Sequence, residues 1–238
     1  MLRTQICIII IGLLVTMVHA RAQTPKKAVD WQRGMLYAPG AAAADIRAPS
    51  PGIARLKARR VAFERATAEL SKRAKALPWV DGGTLGAQLK LEHQKRRFAR
   101  VLQRALARDV RYASDGSVML QAAVGLEALR LAIVGSPIAA RRAKKRITAI
   151  VVLVGKHRVA QRVGVALWSG AELYAGPTVY YRRRPGKAIL GDKVLTGKVT
   201  RVDGNGNLLL GPPMTAELLK NARDSGALVA IVLPDQSR

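Results

Sequence analysis

Four alanines at four-residue spacing, Ala54, Ala58, Ala62 and Ala66, constrain this chain more than any other pattern in it. Side chains four apart share one face of a helix, so the run predicts a helix over 53–76. Leu56, Phe63, Leu70 and Leu77 recur every seven residues and are expected to join the alanines in one apolar face. Arg59, Arg60, Arg65 and Lys72 fall largely off that face. A face built of methyl groups lets a helix lie close to a sheet. Pro78 and then Asp81, Gly82 and Gly83 end the run. Ahead of it, 30–39 reads as a short strand containing Met35, Leu36 and Tyr37, followed by a loop over 41–52. Trp31 is expected to bury at least half of its ring against the alanine-faced helix.

A second helix is expected over 85–107, with Phe98, Val101, Leu102 and Ala105 on its apolar face and Lys90, Lys95, Arg96, Arg97, Arg100 and Arg104 opposite. A hairpin follows, 110–112 and 118–124, turning at Asp115 and Gly116, and then a short helix over 126–133. Beyond the basic run 141–146 the pattern changes to strands. Segments 147–154, 163–167, 172–175 and 227–233 are short apolar runs. Strand 194–202 meets 208–210 across the turn 203–207, and 215–223 reads as a helix. The expected fold is α+β. One strand and long helices pack on a small mixed sheet, and a mostly β segment follows, ending in a helix and a strand. The expected units are 23–135 and 147–238.

Residues 1–22 read as a cleavable export signal. Met1, Leu2 and Arg3 precede an apolar run of about 13 residues, and Ala20, Arg21 and Ala22 supply the small-residue cleavage context before Gln23. A bilayer span needs roughly 20 residues, so no transmembrane span is expected after cleavage. Cys7, the only cysteine, would leave with the signal. The mature chain would then hold no disulfide, thiolate or cysteine-ligated metal. These features place the chain in the periplasm or outside the cell.

Net charge is +26, spread over both halves of the chain. A field of that size favours polyanions such as lipopolysaccharide, acidic polysaccharide or anionic headgroups. Export argues against nucleic acid. The row Arg96, Arg97, Arg100 and Arg104 is the candidate polyanion site. Clusters also occur at 55–60, 95–100, 141–146 and 182–184, where Tyr180 and Tyr181 precede the arginine triplet and read as a strand end. Asp203, Asn205 and Asn207 mimic the first ligands of a calcium loop. Leu208 and Met214 then stand where glycine and glutamate are required, so the segment reads as a turn. His93 and His157 sit among cations, and neither metal nor cofactor is expected. No nucleophile, metal or phosphate-loop motif is present, so the expectation is a protein that is not an enzyme.

One longer pattern remains. Val29, Asp30, Trp31, Gly34, Ala38 and Gly40 precede the Ala/Arg helix, and Asp115–Val118, Glu172–Gly176 and the strand 227–233 follow in order. This order resembles the flagellum-associated outer-membrane lipoprotein family that includes FlgP. The resemblance implies a mixed α/β fold, no catalysis, and a ring or scaffold role at the outer membrane, with envelope proteins or further copies of the chain as partners. The family's lipid-bearing cysteine has no counterpart here. The expected function is therefore an exported, non-catalytic scaffold or assembly protein of the bacterial envelope, peripheral to the outer membrane and flagellum-associated. The alternative is a soluble periplasmic module binding lipopolysaccharide or acidic polysaccharide.

Overall fold

Two sheets, each with its own apolar core, are drawn from consecutive parts of the chain. The computed structural model describes residues 28–80, 82–135 and 146–234. The export segment and most of the basic run 141–146 lie outside the described residues. The fold is α+β. The first sheet, ordered β1-β2-β4-β3, comprises β1 (Val29–Asp30), β2 (Met35–Ala42), β3 (Leu106–Tyr112) and β4 (Val118–Gly125). Every pairing in it is antiparallel. The expected mixed sheet is corrected on this point, because each strand reaches its neighbour without a parallel crossover.

Helix α1, Pro51–Ala76, starts where Ser50 Oγ accepts the Ile53 amide at 3.3 Å, with proline in the first turn. It buries Ala54, Ala58, Ala62, Ala66, Leu70 and Ala74, and all of these but Ala54 belong to the core it shares with the sheet. Approach is so close that a Cβ on Gly40 would lie 2.1 Å from the Ala62 carbonyl oxygen. Arg65 and Arg73 reach from the helix to the carbonyls of Ala41 and Tyr37, at 2.9 and 3.2 Å. The seven-residue expectation fails at its first member. Leu56 is 66% exposed, because the four-residue alanine row alone faces the sheet.

The predicted 85–107 helix divides. A short 3-10 turn occupies Gly86–Gln88, α2 runs Glu92–Gln103, and Leu106 already belongs to β3. At the front, the Leu85 amide bonds the Leu77 carbonyl at 2.8 Å, and Gly86 packs on the Lys75 backbone. At the back, Leu106 and Ala107 pair with Ala123 and Ala122 of β4. Helix α3, Leu126–Val134, follows β4 directly.

The second sheet has seven strands in the order β7-β6-β10-β9-β5-β11-β8. These are β5 (Ala149–Leu153), β6 (Val165–Ser169), β7 (Glu172–Gly176), β8 (Thr178–Tyr181), β9 (Val194–Val202), β10 (Leu208–Leu210) and β11 (Leu228–Val232). Strand β5 lies between β9 and β11, parallel to both. Strands of that kind are covered on both faces and read as continuous apolar runs. On one face Ile150, Val152, Val229 and Ile231 join Leu167, Leu208 and Leu219. On the other, Ala149, Val151 and Ala230 lie under Leu190 of the short helix α4, Lys187–Leu190. Helix α5, Ala216–Ser225, is capped by Thr215 and closed by Gly226 at φ +64°.

The units are fastened at several points. The Val163 amide bonds the Pro78 carbonyl at 2.8 Å, and Val163 itself packs into the first core. Arg130 is only 8% exposed and forms a two-point pair with Glu127, both bonds 2.7 Å. Its third nitrogen donates to the Ala175 carbonyl at 3.4 Å.

Candidate binding groove

Most of the arginine row proposed from sequence stays on the surface. Arg96 and Arg100 are exposed on α2, and Arg104 is exposed at its C-terminal cap. Arg97 does not join them. Its Nη2 donates to the Ile133 carbonyl at 3.3 Å, beside Gln94 Nε2 at 3.2 Å. Both close the C-terminal end of α3, where carbonyls lack helical partners and a cation is favoured. Arg97 therefore holds the fold, and the surface row contracts to Arg96, Arg100 and Arg104.

A different set of residues converges where the two sheets meet. Beyond β1 the chain turns sharply. Asp30 Oδ1 accepts the amides of Gln32 and Arg33 at 3.1 and 2.9 Å, and Gly34 supplies the positive φ of +62°. This turn projects Trp31 towards β8, the edge strand of the second sheet. The Tyr180 amide donates to the Trp31 carbonyl at 3.3 Å, and the rings meet edge to face, 5.7 Å apart at 79°. Trp31 is thus partly buried between both cores, packing on the first core, which holds the alanine face of α1, and on the second, with Tyr180 as its ring partner.

Tyr180 is itself buried. Its hydroxyl accepts the Arg162 amide at 2.9 Å and donates to the Arg162 carbonyl at 3.2 Å. Burial pushes its ionisation well above that of a free phenol.

Around this junction lies a groove of about 990 Å³. Of the chain's three tryptophans, five tyrosines and two phenylalanines, Trp31, Tyr37, Tyr180 and Tyr181 all line it. Trp31, Tyr37 and Tyr181 keep part of their rings in solvent. Arg33 and Arg182 are exposed on its walls, and Gln32 and Gln161 add amides. Among the described residues Asp30 is the only acid lining it. Its carboxylate is committed to its own turn and lies 3.7 Å from Arg33. Stacking surfaces, two forks of N–H donors and two amides equip such a groove to hold a chain of rings bearing negative charge. Among the described residues, the groove has no paired carboxylates and no nucleophile beside a base, the arrangements that acid–base or covalent catalysis uses.

The tyrosine pair before the arginine triplet reads from sequence as a strand end, and it does end β8, whose edge forms one wall of the groove. The other wall lies some 150 positions earlier. The usable signal is scarcity, since the chain has only ten aromatic side chains and four of them line this groove. At the 203–207 turn, Asp203 accepts both the amide and the side-chain nitrogen of Asn207 at 2.8 Å. No group of three His, Cys, Asp or Glu side chains is placed to hold a metal among the described residues. No helix among them is long and apolar enough to cross a membrane. The chain matches no protein-family model and no curated protein.

Proposed function

We propose that this chain is an exported, non-catalytic protein of the bacterial envelope that holds an acidic polysaccharide, or the charged saccharide of lipopolysaccharide, in the groove beside Trp31. The observation that carries this reading is the convergence of Trp31, Tyr37 and Tyr181 with Arg33 and Arg182 in one open groove. Aromatic faces cover the apolar faces of sugar rings, and guanidinium forks pair with carboxylates or phosphates. The surrounding charge, +24 once Arg3 and Arg21 have left with the signal, supports it by concentrating polyanions near the surface.

Calorimetry with a polyuronate and with a neutral glucan tests the reading. Replacing both Arg33 and Arg182 by alanine should weaken polyuronate binding at least about tenfold and flatten its salt dependence, since fewer counterions are released. Melting should be unchanged, because both side chains are exposed. Unaltered binding in that variant, with loss on replacing Arg96, Arg100 and Arg104, would move the site to α2.

The scaffold reading is favoured by one separate feature. Strand β3 ends its sheet, and Leu106 and Met119 are about half exposed beside it. Such an edge is a surface for envelope proteins or further copies of the chain, in keeping with the flagellar resemblance. A discrete oligomer persisting at high salt would support this role.

A further inference from the structure

Helix α1 is longer than the sheet that supports it. At about 1.5 Å per residue its 26 residues span roughly 39 Å, whereas the eight residues of β2 span about 26 Å. The contacts show which end overhangs. Tyr37 meets Arg73, Gly40 meets Ala62 and Ala66, and Ala41 meets Arg65. The strand then stops at Ala42, and the helix continues to Pro51. The free end and the loop 43–50 form a tip. Lys57 ties this loop to the helix through Asp45 at 3.5 Å.

That tip carries apolar side chains the fold does not use. Ile46 is 96% exposed, Leu56 66% and Ile53 41%. Ile53 and Leu56 are three apart on one helix face, away from the alanine row. Ile46 sits on a fixed mount. Asp45 accepts the Arg47 amide on its side chain and the Ala48 amide on its carbonyl, both at 3.0 Å, and prolines stand at 49 and 51. Around these residues lie Arg47, Arg55 and Arg59, together with Lys57 and with Arg60, which pairs with Glu64 at 3.0 Å. Asp45 is the only acid between 43 and 60, and it is already paired with Lys57.

We infer that this tip docks on an anionic lipid surface. Its isoleucines and leucine enter the acyl boundary while the surrounding cations meet headgroup phosphates. Apolar wedge and basic collar together are what interfacial binding requires, since either alone gives weak attachment. The tip and the groove involve different residues, so this inference stands apart from the glycan reading.

Vesicle sedimentation of the form beginning at Gln23 tests it, using phosphatidylcholine alone and with about one-third phosphatidylglycerol, near physiological salt. Wild-type protein should bind the anionic vesicles and leave the neutral ones. The triple variant Ile46→Ser, Ile53→Ser, Leu56→Ser should lose at least about tenfold in partitioning with an unchanged melting temperature. Arg33→Ala with Arg182→Ala should bind vesicles as wild type does. Three results would overturn the inference: no binding to anionic vesicles, equal binding by the triple variant, or conversion of an oligomer to a monomer by the triple variant. The second would reduce the effect to bulk charge, and the third would assign the tip to a second copy of the chain.

Discussion

The two halves of the molecule bury their cores by opposite means. In the first, a long helix lies on an antiparallel sheet through methyl groups, with Gly40 under Ala62 and no room between them. In the second, β5 and β11 run side by side and fill their surroundings with Ile150, Val152, Val229 and Ile231, all fully buried. The first core is limited by backbone approach and the second by side-chain volume. The first should therefore fail when atoms are added, and the second when atoms are removed.

The largest expected effect tests the second half. Ile231→Ala should destabilise by about 4 kcal/mol, the transfer term plus an unfilled cavity, measured by urea unfolding. Enlarging a residue is the corresponding challenge to the first half. Gly40→Val should cost about 3 kcal/mol, since even its Cβ would strike the Ala62 carbonyl. A Gly40→Val protein as stable as wild type would show that the helix can lift off the sheet, and would erase the contrast.

The junction comes next. Trp31→Ala should cost about 3 kcal/mol, somewhat less than a fully buried tryptophan, because part of the ring stays in solvent. Unfolding should then separate into two transitions, since the ring contact with Tyr180 is lost. A single transition would show that Arg130, Val163 and Arg162, whose Nη1 donates to the Val80 carbonyl at 3.2 Å, suffice to couple the halves.

The smallest effect is absent at neutral pH and belongs to the second half alone. Tyr174 and Tyr180 are buried there, and burial raises the pKa of each above the ordinary 10.0. Above pH 10 the unfolded chain releases these protons while the native fold retains them. Stability conferred by the two phenols is complete below pH 10 and declines as pH rises above it, by about 1.4 kcal/mol per unit for each phenol. Unfolding midpoints at pH 8 and pH 11 check this, and Tyr174→Phe with Tyr180→Phe should flatten the decline. Amide exchange should show the second half losing protection first.

Much of the local structure was legible. Helix α1 was expected over 53–76 and occupies 51–76, because alanine spacing, Ser50 and Pro78 all act within a few residues. The turns at Asp115 and at 203–207 were equally readable from turn chemistry, as were the buried runs that became β5 and β11. Strand β3 was not fully read. Its exposed edge sequence from Leu106 to Tyr112 lacks alternation, so its first residues passed as the end of a helix until pairing with β4 is considered. Tyr180 and Tyr181 were legible as a strand end, whereas their place in the groove depends on Trp31 and was not. Arg97 looked like a surface cation and closes α3 instead.

By itself the sequence determined most of the helices and strands and which residues prefer burial, but not where the 85–107 segment changes from helix to strand. Those preferences arise from neighbours three or four positions away in a helix and two in a strand. Only the tertiary structure decided the strand order of the second sheet and the inward turn of Arg97. It also decided the meeting of Trp31 with Tyr180. Such contacts join residues far apart in the chain, and they form only where loop closure and the packing of both cores are satisfied together.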